Sequence, residues 1–278
     1  MVGETGMRTA IIIPARYAST RFPGKPLAKI AGQTMLSRVV DVARTAIDEL
    51  DLEGLDDVTL AVATENGEIA AHCLEIGVDC ILTSKTCATG SDRVLEAVDR
   101  LAKDLKTHFD FVIGLQGDAP FTPPEAVRKM IEAFQGNPGL DVVTPIVRLR
   151  WRELDALREQ KKITPFSGTT AVIDTDGKAL WFSKNILPAL RKEEDLRKES
   201  DFSPVYQHVG LYGFRTDILK KFVSLPQGRY EQLEGLEQLR LLENGLSIQT
   251  VTLEVEAGLA QAGIDSPEDI ARAEKLLA

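Results

Sequence analysis

No stretch of about 18 consecutive apolar residues occurs in the 278-residue chain, which excludes a membrane-spanning helix in the sequence. The first eight residues lack the apolar segment of a secretory signal, Met7 is a candidate original start, and a cytoplasmic protein is expected. Cysteine is sparse. Cys73, Cys80 and Cys87 are spaced evenly by seven, match no zinc-ligand pattern, and are odd in number. That usage points to a reducing compartment with free or buried thiols. His72, His108 and His208 are spread through the chain, and the first two read as surface or helix-flank residues. There is no G-x-x-x-x-G-K-[ST], which speaks against a P-loop NTPase, and no G-x-G-x-x-G after the first strand, which weakens a nicotinamide-enzyme reading. There is no G-x-S-x-G elbow, no internal repeat and no low-complexity linker. Basic residues are outnumbered, 33 Lys and Arg against 42 Asp and Glu, and the net charge of −9 argues against broad binding to nucleic acid or anionic membranes.

What is present is an ordinary globular composition, 44% hydrophobic, enough for one large domain or two small ones. Ala10-Ile11-Ile12-Ile13 is an unbroken apolar run of the kind found in a strand covered on both faces. Pro14 ends it, and a loop follows that carries Arg16, Arg21 and Lys25 with Gly24 among them. A basic loop at the carboxyl end of a first parallel strand is where open α/β sheets bind anions. Arginine supplies a flat bidentate fork, lysine a mobile point charge, and glycine lets backbone approach a ligand. Taken alone, three cations also fit a solvated loop.

The rest of the chain alternates. Helices are expected over 34–47, 68–75 and 93–103, and from Pro123-Pro124-Glu125. Strands are expected over 58–63, 79–82, 109–115 and 141–145. Thr89-Gly90-Ser91-Asp92 caps the third of these helices. Strand and helix in alternation predict a mostly parallel, doubly wound Rossmann-like sheet. The pattern changes after about Thr164. Strands at 169–173 and 178–182 flank the turn Asp174-Thr175-Asp176-Gly177, and a single strand is expected over 207–214. Residues 191–198 are a charge run that reads as a solvated helix or loop. A helix over 233–242, a strand over 247–253 and a final helix opening at Ser266-Pro267 complete the chain. The simplest architecture is one α/β domain over 1–278 with a smaller antiparallel lobe at about 165–215.

Two carboxylates stand out. Asp118 lies just past a buried strand beside Gly117, and Asp265 lies just before the last helix. Such positions can hold a hard cation, since Mg²⁺ usually takes one or two carboxylates plus phosphate oxygens. Each alone also fits a cap or turn residue.

Read together, these motifs form a pattern. The stretch from Ile13 to Leu27 resembles the opening loop of 3-deoxy-manno-octulosonate cytidylyltransferases. The likeness continues in order through Gly90-Ser91-Asp92-Arg93, Gln116-Gly117-Asp118, Phe182-Ser183, His208-Val209-Gly210-Leu211-Tyr212, Leu236-Glu237-Gln238-Leu239-Arg240 and Ile264-Asp265-Ser266-Pro267-Glu268-Asp269. It covers nearly the whole chain from Arg8.

The resemblance implies an enzyme that joins CTP to a 2-keto-3-deoxy sugar acid, most simply 3-deoxy-D-manno-octulosonate for lipopolysaccharide synthesis, and releases pyrophosphate. It implies Ala15, Arg16, Arg21, Lys25, Arg93 and Gln116 at the nucleotide. Asp118 and Asp265 would bind Mg²⁺. Arg16, Lys25, Asp118 and Asp265 would form the catalytic group. Lys184, Arg191, His208, Tyr212, Glu237 and Gln238 would meet the sugar acid. It also implies a homodimer built through the antiparallel lobe, whose strands carry Trp181, Phe182 and Tyr206. The sequence departs from the family at Ala119, where a glutamate is usual, and at Lys184, where an arginine is usual. It departs again at Cys87, in place of a histidine, and at Thr170, within a strand that often reads Val-Lys-Val. The departures at Lys184 and Thr170 leave open a related acid, such as an 8-amino-substituted octulosonate or a nonulosonate. Fold alone also leaves open a catalytically silent nucleotide-binding regulatory protein, against which the retained Asp118, Asp265 and three loop cations speak.

Overall fold

The computed structural model describes residues 6–17, 22–50, 55–255, 264, 269, 270 and 274. The first half alternates as expected. Strand β1 is Met7–Pro14, followed by a 3-10 turn at Lys25–Leu27 and a two-rung hairpin, β2 Lys29–Ile30 and β3 Gln33–Thr34. Then come α1 Met35–Asp48, β4 Leu55–Thr64, α2 Gly67–Glu75, β5 Asp79–Leu82, α3 Gly90–Asp104 and β6 Phe111–Gly114. Helix α4 is Pro124–Gly136, β7 is Val142–Arg150 and α5 is Trp151–Ile163. The second half holds β8 Thr170–Ile173, β9 Ala179–Ser183, α6 Glu193–Glu199, β10 Phe202–His208 and β11 Tyr212–Arg215. It ends, among the described residues, with α7 Thr216–Ser224, α8 Arg229–Glu234, α9 Gln238–Glu243 and β12 Ile248–Leu253. The expected final helix falls largely outside the described residues.

The strands make one large mixed sheet in the order β5-β4-β1-β6-β11-β7-β10-β8-β9, with β12 on the other side of β7. The pairs β5/β4, β4/β1, β1/β6 and β7/β12 are parallel, and those from β6 through β9 are antiparallel. The period of two along β1 explains the core. Ile11 and Ile13 point into a cluster with α1, α2, α4 and α5, whereas Ala10 and Ile12 point into one with α3, α7 and α9. All four residues are fully buried.

Two expectations need correction. The single strand over 207–214 is two strands. β10 and β11 lie end to end along one edge of β7, β11 pairing with Val142–Val143 and β10 with Ile146–Arg150. On their other edge β11 pairs with β6 and β10 with β8, so the sheet parts at Val209-Gly210-Leu211. The helix over 233–242 is two short helices, because Gly235 adopts φ +64° and its N–H closes α8 on the Glu231 carbonyl at 2.8 Å. Helices α5 and α7, together with the first half of β10, add to the sequence reading. α5 buries only a thin stripe, Trp151, Leu154 and Leu157.

The charge run at 191–198 does form a helix, α6, and it is tied rather than free. Arg158 forks onto Glu193 at 2.8 and 2.7 Å, and Arg197 onto Asp155 at 3.0 and 2.6 Å. Arg158, with Arg197 also donating to Glu193 at 3.0 and 2.7 Å, holds the Glu193 carboxyl down near 2, and the pairs lock α6 onto α5.

Candidate active site

Two loops leave the sheet side by side, one after β1 and one after β6. They touch at Gly117, where an added Cβ would stand 2.7 Å from the Pro14 carbonyl oxygen, so only glycine fits. The β1 loop is gathered at its ends. Gly24, at φ +71°, donates its N–H to the Tyr17 carbonyl at 3.1 Å, and the Tyr17 N–H donates to Glu65 at 3.3 Å. The turn that follows carries Lys25 inward, and its Nζ meets the Asp118 carboxylate at 2.8 Å.

Between these loops and α3 lies a cavity of about 260 Å³. Ala15, Arg16, Lys25, Arg93, Gln116 and Asp118 line it, together with Cys87, Thr89 and Gly90. Thr89 caps α3 reciprocally with Asp92, so the amino end of a four-turn helix opens on the cavity. A helix amino end beside Arg16 and Lys25 favours an anion. The Thr89 cap was legible in the sequence, but its aim at the β1 loop was not. Arg93 is buried, ion-paired to Glu65 at 2.8 Å and donating to Thr83 at 2.5 Å. Glu65 therefore joins α3 to the β1 loop, a link that no local motif signals. The Cys87 thiol donates to Glu96 at 3.1 Å, and burial with that carboxylate pushes it up to about 11.

A second cavity, of about 350 Å³, opens where the sheet parts. Tyr212 pairs with Gly114, so residues 209–211 stand level with the chain just past β6. Gln116 and Asp118 line both cavities, and Lys184, His208, Tyr212 and Gln238 line the second, with Ala119 and Thr169. The Thr144 hydroxyl gives its proton to the Leu211 carbonyl at 2.7 Å, so it can only accept from His208 Nε2 at 2.9 Å. Burial, aided by the Lys184 charge, pushes His208 down to about 3, and it is a neutral imidazole at pH 7. Burial, with the nearby Glu237, raises the Tyr212 phenol well above its ordinary value. Gln238 is buried with its Nε2 unpartnered among the described residues, a donor waiting in the cavity wall.

Two expected sugar-site residues stand apart from this cavity. Glu237 lines neither cavity; it sits behind, near Tyr212 and Arg240, its carboxyl pushed up by burial. Arg191 is exposed on a different surface with Asp195 and Glu199 and also lines neither. Arg21 and Asp265 lie outside the described residues. Ile264, immediately before Asp265 in sequence, donates its backbone N–H to the Asp118 carbonyl at 3.1 Å.

The cytidylyltransferase family profile matches residues 10–248. A 3-deoxy-manno-octulosonate cytidylyltransferase of Maricaulis maris is 39% identical over 98% of both chains. The chain belongs to this family. An Anaeromyxobacter relative carrying the same name is 40% identical over 98% of this chain and 97% of its own. A solved CMP:2-keto-3-deoxy-manno-octonic acid synthetase, complexed with CTP, superposes with a TM-score of 0.77 at 29% identity, over 97% of this chain and 98% of that one. Of the departures from the cytidylyltransferase pattern, Ala119 and Lys184 line the second cavity and Cys87 the first. Thr170 is buried, donating to the Asn185 carbonyl at 2.6 Å and accepting from the Leu187 N–H at 3.1 Å.

Proposed function

We propose that the protein transfers the cytidylyl group of CTP to a 2-keto-3-deoxy sugar acid, 3-deoxy-D-manno-octulosonate in the first instance, and releases pyrophosphate. The carrying observation is that two anion-suited cavities meet at Gln116 and Asp118. In this reading CTP occupies the first cavity and the sugar acid the second. A sugar hydroxyl attacks the α-phosphorus at the seam, its proton is lost, and the bond to the β-phosphate oxygen breaks. Arg16 and Lys25, with Arg21 from the same loop, balance the negative charge of the triphosphate and of the departing pyrophosphate. Gln116 and the amino end of α3 orient the nucleotide. Lys184 meets the sugar carboxylate, while neutral His208, Tyr212 and Gln238 hydrogen-bond its hydroxyls.

Mg²⁺ fits the residues present. Asp118 is a half-exposed carboxylate at the seam of the two cavities, and Ile264 ties the chain segment leading to Asp265 onto its backbone. Asp118 and Asp265 would hold the ion with phosphate oxygens. Bound there, Mg²⁺ supplies charge neutralisation at the α-phosphate. The test is pyrophosphate release from CTP and Mg²⁺ over a panel of octulosonic and nonulosonic acids. Release with the octulosonate supports the reading, and no release with any acid contradicts it.

Lys184 gives the reading a pH signature. Burial lowers its pKa below the ordinary lysine value of 10.5, against the opposing pull of Glu234. Its charge is lost as pH rises through that lowered value, earlier than for an ordinary lysine. kcat/KM for the sugar acid should fall on the alkaline side while KM for CTP holds. Lys184→Arg should abolish that limb, because guanidinium stays charged. An unchanged limb in Lys184→Arg would separate Lys184 from the sugar acid.

We also infer a homodimer through the antiparallel strands. β9 is a sheet edge with Leu180 exposed on it, and Phe166 is exposed in the loop before β8. Phe182 serves the core instead, packing edge-on against His208 at 4.9 Å. Light scattering at micromolar concentration should give twice the monomer mass, and a monomer would reject the inference. Among the described residues no helix is long and apolar enough to cross a membrane.

A further inference from the structure

Lys161, on α5, belongs to neither cavity and matches no motif, yet its ammonium is among the most heavily engaged in the molecule. It donates to the carbonyl oxygens of Ser167 at 2.5 Å, Gly168 at 3.1 Å and Lys184 at 2.5 Å, with Pro165 at 3.4 Å. Ser167 and Gly168 belong to the loop that leads into β8, and Lys184 follows β9. Gly168, Thr169 and Lys184 are one wall of the second cavity. A single cation therefore ties the two chain segments of that wall together. Several carbonyl dipoles aimed at one partly buried ammonium make a charge-assisted clamp.

The Lys184 peptide is gripped from its other side as well. Its N–H donates to Glu234 at 2.8 Å, and the second oxygen of Glu234 accepts from Ser183 at 2.8 Å. The Lys184 side chain then reaches across to the Thr169 hydroxyl at 3.2 Å. Loosening the Gly168 side of the clamp would displace Thr169 and the ammonium it receives together. Burial, with the Lys184 charge acting the same way, lowers the Lys161 pKa, and the Glu234 carboxylate opposes them.

We propose that Lys161 is a positioning residue for sugar-acid recognition: by bridging the loop before β8 to the Lys184 carbonyl, it sets where the Lys184 ammonium stands in the second cavity. This rests on the sugar-acid reading of that cavity. It predicts a selective effect, because the two cavities share only Gln116 and Asp118, and the clamp touches neither.

The test compares Lys161→Met, which keeps the aliphatic stem, with Lys161→Arg, which keeps a charge. Lys161→Met should raise KM for the sugar acid about 10- to 100-fold, the scale of a lost charged hydrogen bond. KM for CTP should not change, and Lys161→Arg should recover part of the loss. An unchanged sugar-acid KM, or equal rises for both substrates, overturns the proposal. Amide hydrogen exchange, measured without substrate, is the second arm. Lys161→Met should speed exchange over 164–170 and 183–187 and leave the β1 loop alone. Unchanged exchange in those two segments overturns the clamp, whatever the kinetics. An unmodified protein inert towards every sugar acid would instead overturn the function proposed for the cavity, and the exchange result would still decide whether Lys161 holds its wall.

Discussion

Asp118→Asn is expected to remove nearly all turnover while leaving the fold intact. The side chain stands at the seam of the two cavities and pairs with Lys25 at 2.8 Å. The amide keeps the shape but supplies no negative charge for Mg²⁺ or for Lys25. Losing electrostatic stabilisation at the reacting centre costs on the order of 10²–10³ in rate for one neutral donor, and more for a metal carboxylate. The carboxylate is half-exposed, so the variant should keep its circular dichroism spectrum and thermal midpoint. Asp265→Asn should behave alike. Near-normal turnover of Asp118→Asn at low Mg²⁺ would count against the assignment, and a collapsed thermal midpoint would make the residue a structural one.

Lys25→Ala is the second large effect. The Lys25 side chain is only 9% exposed, and its one cation faces the cavity where the triphosphate is placed. If it acts on charge that develops as pyrophosphate leaves, kcat falls more than CTP affinity. The expected loss is about 2–4 kcal/mol, or about 30- to 1,000-fold. Lys25→Met is the control for lost volume, since it fills the same space without charge. Both variants should fail equally with every sugar acid. A Lys25→Met enzyme with normal kcat would show that the volume, not the charge, mattered.

The two halves of the chain were not equally legible. β1, β4 and β5, with the helices after them, follow from local period and composition. A fully buried strand reads as an apolar run, and a helix with a broad apolar face reads as one. The β1 loop and the Gln116-Gly117-Asp118 turn were legible because their residue types are chemically unusual at strand ends. The parting of the sheet at Val209–Leu211 was not. Val209 and Leu211 are apolar like Tyr212 and Phe214 beyond them, and only the change of neighbour from β8 to β6 ends the strand. That change is a long-range pairing that no window of sequence contains.

The same holds within the site. Ala15, Arg16, Lys25, Arg93 and Gln116 come together on one cavity and Lys184, His208, Tyr212 and Gln238 on another, although 222 positions separate Arg16 from Gln238. Glu65 and Glu234 carry no signal in the sequence because each is one acid among many. Only the fold shows Glu65 tying α3 to the β1 loop and Glu234 holding the Lys184 peptide. Lys161 carries no signal for a related reason. A lysine near the end of a highly charged helix reads as solvated, and its partners are backbone carbonyls, which carry no sequence signature.

The most direct measurement follows the oxygen atom. The protein is incubated with CTP, Mg²⁺ and 3-deoxy-D-manno-octulosonate labelled with ¹⁸O at the attacking hydroxyl, and the products are read by ³¹P NMR and mass spectrometry. The account predicts equal amounts of pyrophosphate and a CMP-sugar whose bridging oxygen carries the label. Pyrophosphate with free CMP and unlabelled phosphorus, or no reaction of CTP at all, would contradict it.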